Sequence, residues 1–168
     1  MMKSTKIFIQ MIVAGALLLG GCKAKFIGLD PSVEIYKVPG VTAKVDGNAA
    51  ITLSDLNSFS GKVLVDLYFK DQPGPDKVDI VVRKNLQGGG NVKVLQEGVT
   101  SFPSTITVTA AQLQSLFGEL KVGDTYDVAP NIYTSDGKFE AFPANGPGTA
   151  TSVTGAPGYS AFARFTVR

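Results

Sequence analysis

Between residues 62 and 70 apolar Val63, Val65, Leu67 and Phe69 alternate with Leu64, Asp66, Tyr68 and Lys70. Successive side chains of a strand point to opposite sides, so this period-two pattern predicts a strand with one apolar face. Asp71-Gln72-Pro73-Gly74-Pro75-Asp76 reads as a turn. Beyond it Val78, Ile80 and Val82 alternate with Asp79, Val81 and Arg83. Gly88-Gly89-Gly90-Asn91 turns the chain before a short strand at 92–95. Residues 104–109 alternate Ile106 and Val108 with Thr105, Thr107 and Thr109.

One helix is expected. Thr109 and Gln112 have capping-box spacing, Leu113, Leu116 and Phe117 share a face, and Gly118 suits a helix end. A strand follows at 123–133, with Tyr126, Val128 and Ile132 on one face. Pro130 within it predicts an edge position or a bulge, since proline cannot donate to a ladder. Asp136-Gly137 marks a hairpin with a return strand at 138–142. The last strand is expected at 159–167, with Tyr159, Ala161, Ala163, Phe165 and Val167 on one face. Shorter β-prone runs precede all of these, at 33–38, 41–45 and 49–53.

About seven short strands with turns every 8–12 residues and one short helix predict an all-β fold. The expected form is an antiparallel immunoglobulin/fibronectin-III-like β-sandwich. Val63, Val65, Leu67, Phe69, Val78, Ile80, Val82, Ile106, Val108, Tyr126, Val128 and Phe165 should face one core. Tyr126 is either a tyrosine-corner residue bonded back to upstream backbone or a half-buried strand aromatic. With no Cys or Trp available to that core, fibronectin III is the nearer analogy. No repeat of 20–50 residues is present, which argues against a solenoid or propeller.

The N-terminus follows a different pattern. Lys3 and Lys6 precede an apolar run at 7–19 interrupted only by Gln10, and small Gly20 and Gly21 follow. These are the three parts of a secretory signal; a retained anchor helix is the alternative. Leu19-Gly20-Gly21-Cys22 resembles the bacterial lipobox. That resemblance implies a lipoprotein signal peptide at 1–21, cleavage before Cys22 and acylation of its thiol, with palmitate among the chains. A tether at 22–32 and a β-sandwich domain at 33–168 complete the organisation. Two or three acyl chains anchor a protein stably where one does not.

The chain of 168 residues has 16 Lys+Arg against 14 Asp+Glu, a net +2. Lys3 and Lys6 would leave with the signal, so the mature charges balance. There is no basic footprint for nucleic acid. The chain has no His, no Trp and one Cys. This excludes Ser-His and Cys-His pairs, an internal disulfide and the usual zinc and iron–sulfur ligand sets. No cofactor is expected and no metal ligand is assigned. A mature chain of this length can bury its core without disulfides.

Val65-Asp66-Leu67-Tyr68-Phe69-Lys70-Asp71, Lys77-Val78-Asp79-Ile80-Val81-Val82-Arg83-Lys84-Asn85 and Asn91-Val92-Lys93 carry a family likeness. So do Phe102-Pro103-Ser104-Thr105, Ala111-Gln112-Leu113 with Leu116-Phe117-Gly118, and Lys138-Phe139-Glu140-Ala141-Phe142-Pro143. Over residues 60–150 the chain resembles small Bacteroidetes lipoproteins with an immunoglobulin-like domain. The resemblance implies a cell-envelope protein, held at the outer membrane, and a link to glycan uptake. Lys23-Ala24-Lys25 stands where surface-exported lipoproteins of that phylum often carry acids.

Candidate chemistry is sparse. Ser135-Asp136-Gly137-Lys138 fits a Ser-x-x-Lys string, but that chemistry needs the serine at a helix start and here the string spans a hairpin. Gly88 to Gly90 lacks the Gly-Lys-Ser/Thr of a phosphate loop. Asp71, Asp76 and Asp79 are carboxylates of the kind that ligate Ca²⁺, and solvated turn acids are the plainer reading. Lys70, Lys77, Lys84 and Lys93 read as a solvated face. Glu34, Glu97, Glu119 and Glu140 are too far apart in sequence to mark a catalytic pair.

The loop at 143–158 is the expected recognition segment, because long loops without structure of their own are usually functional or disordered. Its ligand-binding candidates are Asn145, Thr149 and Thr151, with Ser152 and Thr154 nearby and Tyr159 at its exit as a stacking face. The expectation is therefore not an enzyme. It is a membrane-anchored binding or interaction module whose partner is a glycan or an envelope protein. A structural spacer or assembly component of an envelope complex, and a hydrolase working without His, are the alternatives.

Overall fold

The structure is a computed structural model and describes residues 38–86, 91–143 and 160–168. The strands are β1 (Val41–Asp46), β2 (Ala50–Ile51), β3 (Ser60–Leu67), β4 (Lys77–Lys84), β5 (Lys93–Val99), β6 (Ser104–Thr109), β7 (Thr125–Thr134), β8 (Gly137–Phe139) and β9 (Ala163–Val167). A 3-10 segment at Leu53–Ser58 and the helix α1 (Ala110–Phe117) complete the elements. One sheet has the order β1-β3-β6. The other has the order β2-β9-β7-β4-β5, with β8 also on β7. All pairings are antiparallel except β2 with β9. Among the described residues no helix is long and apolar enough to cross a membrane.

Both sheets contribute to one apolar core, through Val63, Val65, Ile106 and Val108 of the first and Val78, Ile80, Val82, Tyr126, Val128 and Phe165 of the second. Each such side chain contributes about 1.5–3 kcal/mol by leaving water. One member of the expected core departs from it. Leu67 is partly buried and packs against the core, but Phe69 is 50% exposed. The cause is the partner strand. β1 begins at Val41, whose partner is Leu67, and Pro39-Gly40 before it does not extend the strand. The last backbone bond between the two segments is Tyr68 N–H to Gly40 O, so Phe69 leaves the sheet and the alternation that includes it no longer reports a face.

Val81 departs the other way. Alternation sets it on the outer side of β4, yet it is 1% exposed. A second small core covers that side, built from Val81, Ala129 and Phe142 with Val92, Ala141 and Phe162 packed around it. On the same side Asp127, 1% exposed, accepts from Arg83 Nε at 2.9 Å, from Arg164 Nε at 2.6 Å and from Arg164 Nη2 at 2.9 Å. Arg83 stacks over Phe142 at 4.2 Å.

Several element ends differ from the sequence pattern for identifiable reasons. β5 runs on to Val99 because Gly98, at φ +70°, forms an irregularity after which pairing with Val78 resumes. The 49–53 run yields only the two-residue β2 before the chain turns into the 3-10 segment. β8 ends at Phe139, and Ala141 N–H then donates to Asn131 Oδ1 at 2.9 Å. β9 begins only at Ala163, because Ser160 is bonded to β1 of the other sheet: Ala43 N–H donates to Ser160 O at 2.8 Å. Pro130 sits inside β7, a central strand. The β9 ladder ends at Val128 and the β8 ladder starts at Ile132, so proline falls in the gap where no donor is required.

The helix follows its sequence signals. Thr109 Oγ1 accepts from Gln112 N–H at 3.2 Å and Thr109 N–H donates to Gln112 Oε1 at 2.8 Å, closing both halves of the capping box. Gly118 ends it at φ +77°. Downstream, Asp124 accepts from Lys121 N–H and Asn85 Nδ2, both at 2.9 Å, and pairs with Lys84 Nζ at 2.7 Å. The fully buried Tyr126 donates its hydroxyl to Asp124 Oδ2 at 3.5 Å, a carboxylate and not upstream backbone.

Burial pushes the Asp124 carboxyl up, but Lys84, Asn85 and the Lys121 N–H outweigh it and hold it below its ordinary value of 3.8. A carboxyl depressed in the folded state stabilises fully above its unfolded pKa, and that contribution disappears as pH falls through the folded one. Stability should therefore drop as the solution is acidified below 3.8. In Asp124→Asn this part of the acid slope should be missing, which thermal melts across that range will measure. Parallel slopes in the two proteins would assign the acid sensitivity elsewhere.

Candidate functional site

At one end of the fold three segments separated in sequence surround a cavity of about 320 Å³. They are the entry segment at Val38–Gly40, the stretch from Leu67 through the β3–β4 loop to Asp76, and the β7–β8 turn at Thr134–Asp136. The apolar part of the lining is Val38, Pro39, Leu67, Phe69 and Pro73. The polar part includes Gln72, Asp76, Ser135 and Asp136. The volume lies at the small end of the range for small-molecule sites.

The exposed Phe69 ring is fixed by its surroundings. Tyr68 packs edge-on against it with ring centroids 4.7 Å apart. Tyr68 N–H donates to Gly40 O at 2.8 Å, and Gln72 N–H donates to Phe69 O at 3.2 Å to close the turn. Asp76 N–H donates to Tyr133 O at 2.9 Å and ties the far end of the loop to β7. A Cβ at residue 40 would lie 3.3 Å from Tyr68 Cβ and 3.4 Å from Phe69 Cδ2, so glycine lets the chain pass this close. Pro73 and Pro75 pre-set two backbone torsions of the loop, which lowers the entropy lost when a ligand orders it.

The charge of the lining is acidic. Asp76 and Asp136 lie in it, no Lys or Arg does, and neither acid forms an ion pair among the described residues. Lys77, next in sequence, is committed elsewhere: its Nζ lies 3.3 Å from Asp79 Oδ1 and 4.4 Å from the Tyr133 ring centroid. The site thus offers an aromatic face, two acceptor-only carboxylates, an amide that both donates and accepts, and hydroxyls. That set suits the apolar face and hydroxyl edge of a polyol.

Of the expected site residues, Cys22, Asn145, Thr149, Thr151 and Tyr159 lie outside the described residues. Ser135 and Lys138 span the β7–β8 turn, where Thr134 pairs with Gly137. Lys138 Nζ is bonded to Glu140 at 2.9 Å, and that bond holds its ammonium above the ordinary lysine range. Such a lysine is a poor proton acceptor. Asp71, Asp76 and Asp79 do not gather; among the described residues no three potential metal-ligating side chains do. Asp79 instead accepts from Gly98 N–H at 2.9 Å and pins the β5 irregularity. Burial pushes its carboxyl up, and Gly98, Tyr133 and Lys77 together bring it below the usual value.

Sequence reading missed this groove because its lining comes from three distant segments. The available signal was Phe69 itself, an aromatic two residues before a turn holding two prolines and three acids or amides. Comparison of the chain with protein-family models, with curated proteins and with solved structures finds no match.

Proposed function

We propose that this chain is a lipoprotein of the bacterial cell envelope, anchored to the outer membrane through Cys22, and that it works as a binding module without catalysis. In this reading its two sheets form an immunoglobulin/fibronectin-III-like sandwich. The neighbour order supports that: β7 lies between β4 and β9 as strand F lies between C and G, β5 extends the row as C′, and β1-β3-β6 corresponds to A-B-E. The likeness to small Bacteroidetes lipoproteins points to a glycan as ligand. The observation that carries the binding role is the fixed, half-exposed Phe69 ring over a groove whose Asp76 and Asp136 form no ion pair among the described residues.

Phe69→Ala provides the test. The ring is 50% exposed, so its removal should lower stability by only about 1 kcal/mol in urea melts, against about 3–5 kcal/mol for a fully buried Phe. On a glycan array the mature chain should bind and Phe69→Ala should not. Binding retained by the variant would remove the groove from the reading, and turnover of any glycan would overturn its non-catalytic part.

Anchoring is tested separately. Cys22→Ala should accumulate as uncleaved precursor and take up no labelled palmitate, whereas the natural chain should be processed and labelled. Equal labelling of the two would remove Cys22 as the acylation site.

A further inference from the structure

Among the described residues, the strand edges are blocked in different ways, except at β6. β5 has two register shifts against β4 and carries Lys93 and Glu97. The outer edge of β1 is engaged at Ala43, whose N–H donates to Ser160 O and whose O accepts from Ser160 Oγ at 2.9 Å, and the strand carries Lys44 and Asp46. β2 is two residues long and β8 three. β6 pairs only with β3 among the described residues, in an unbroken register from Ser60↔Thr109 to Val65↔Ser104. Its sequence Ser-Thr-Ile-Thr-Val-Thr has no charge, no proline and three β-branched threonines. Natural edges normally carry a device against pairing with another chain, and β6 has none.

Two independent hydrogen bonds set which of its backbone groups point outward. Residues of an antiparallel strand direct both N–H and C=O to one side, alternating along the chain. Ala43 bonds away from β3, so its partner Val65 directs its groups to the other neighbour, β6, where it meets Ser104. Ser104, Ile106 and Val108 therefore bond to β3. At the other end Thr109 N–H goes to Gln112 Oε1 and not to the ladder, which gives the same parity. The N–H and C=O of Thr105 and Thr107 are thus directed outward, and no hydrogen bond among the described residues uses them.

We infer that β6 pairs antiparallel with β6 of a second copy, about a two-fold axis between the two Ile106 residues. In that register Thr105 and Thr107 of one copy face Thr107 and Thr105 of the other. Each facing pair exchanges two N–H···O bonds, so all four outward donors are used. The strand sets no like charges opposite each other, and its threonines form cross-strand pairs on the solvent face. The two three-stranded sheets become one of six. A six-residue strand is only about 20 Å long, and this interface falls below the roughly 800 Å² per partner of a standard-size complex. The dimer is a transient one in solution, with a dissociation constant on the order of 100 μM, and confinement to a membrane would raise its population.

The test uses the mature chain. Amide exchange at Thr105 and Thr107, followed by NMR, should slow about fourfold between about 10 μM and about 1 mM protein for that constant. Ile106 and Val108 should be protected at both concentrations, and sedimentation should show dimer at the higher one. Thr107→Pro removes an outward donor that no intrachain bond uses, so it should be monomeric at both concentrations with an unchanged melting temperature. Thr105→Lys/Thr107→Lys, which sets like charges opposite each other on the solvent face, should also be monomeric and guards against a misfolded proline variant. Concentration-independent exchange at Thr105 and Thr107, or a dimer that survives both variants, would overturn the inference.

Discussion

Asp127→Ala is expected to lower the unfolding free energy by about 3 kcal/mol, the lower end of the range for breaking a buried ion pair by removing one partner. The reason lies in the register. Arg83 of β4, Asp127 of β7 and Arg164 of β9 stand directly opposite one another across three adjacent strands. Asp127 is 1% exposed and holds both guanidiniums, at 2.9 Å from Arg83 Nη2 and as a two-bond fork with Arg164. Without the carboxylate, two like charges remain side by side over Phe142 and Phe162, and neither ring can neutralise them. The loss stays at the lower end because the Arg164 side chain is 42% exposed and turns to water. Urea melts of the variant provide the measurement. A loss below about 1 kcal/mol would mean that the cluster contributes no more than an exposed ion pair. Replacing all three residues by apolar ones of similar size should restore most of the stability.

That cluster also shows where sequence reading stops. Arg83 and Asp127 are 44 positions apart, and Asp127 and Arg164 are 37 apart. Only strand register joins them, and register is not written in alternation. What alternation does report is a face covered by a second layer. Val63, Val65, Val78, Ile80 and Val82 are buried as their spacing implies, because each lies inside a ladder with partners on both sides. Phe69 keeps the same spacing, but its neighbouring strand has already ended, so it becomes the exposed face of the groove. Val81 breaks the pattern because Phe142 and Phe162 fold over its side of the sheet. The helix was fully legible, since its caps are local: Thr109, Gln112 and Gly118 lie within ten residues. The groove was legible only as a turn, because Gln72 and Asp76 meet Ser135 and Asp136 through tertiary contact alone. Tyr126 was legible as a strand aromatic, while its Asp124 partner depends on how Lys84 and Asn85 end β4.

The second large effect concerns a glycine inside a strand. Gly61 lies in β3, and a Cβ there would sit 2.5 Å from Phe165 Cε1 and 2.8 Å from Phe59 Cζ. The Phe165 ring is fully buried, and Phe59 packs edge-on against it with centroids 5.7 Å apart. The contacts are therefore with ring atoms fixed by their own packing, and the methyl group must displace one ring or the strand. Gly61→Ala should cost about 1–3 kcal/mol, the usual penalty of overpacking. Phe165→Ala should cost about 3–5 kcal/mol through lost burial and the cavity left behind. The two effects are expected to oppose each other, because the methyl group enters the space the ring vacates. In Gly61→Ala/Phe165→Ala the total loss should fall short of the sum by about 0.5–3 kcal/mol, the coupling found for residues in contact. Urea melts of the four proteins close the cycle. Additive losses would mean that β3 shifts to accommodate the methyl group and that Phe165 does not require a glycine at residue 61.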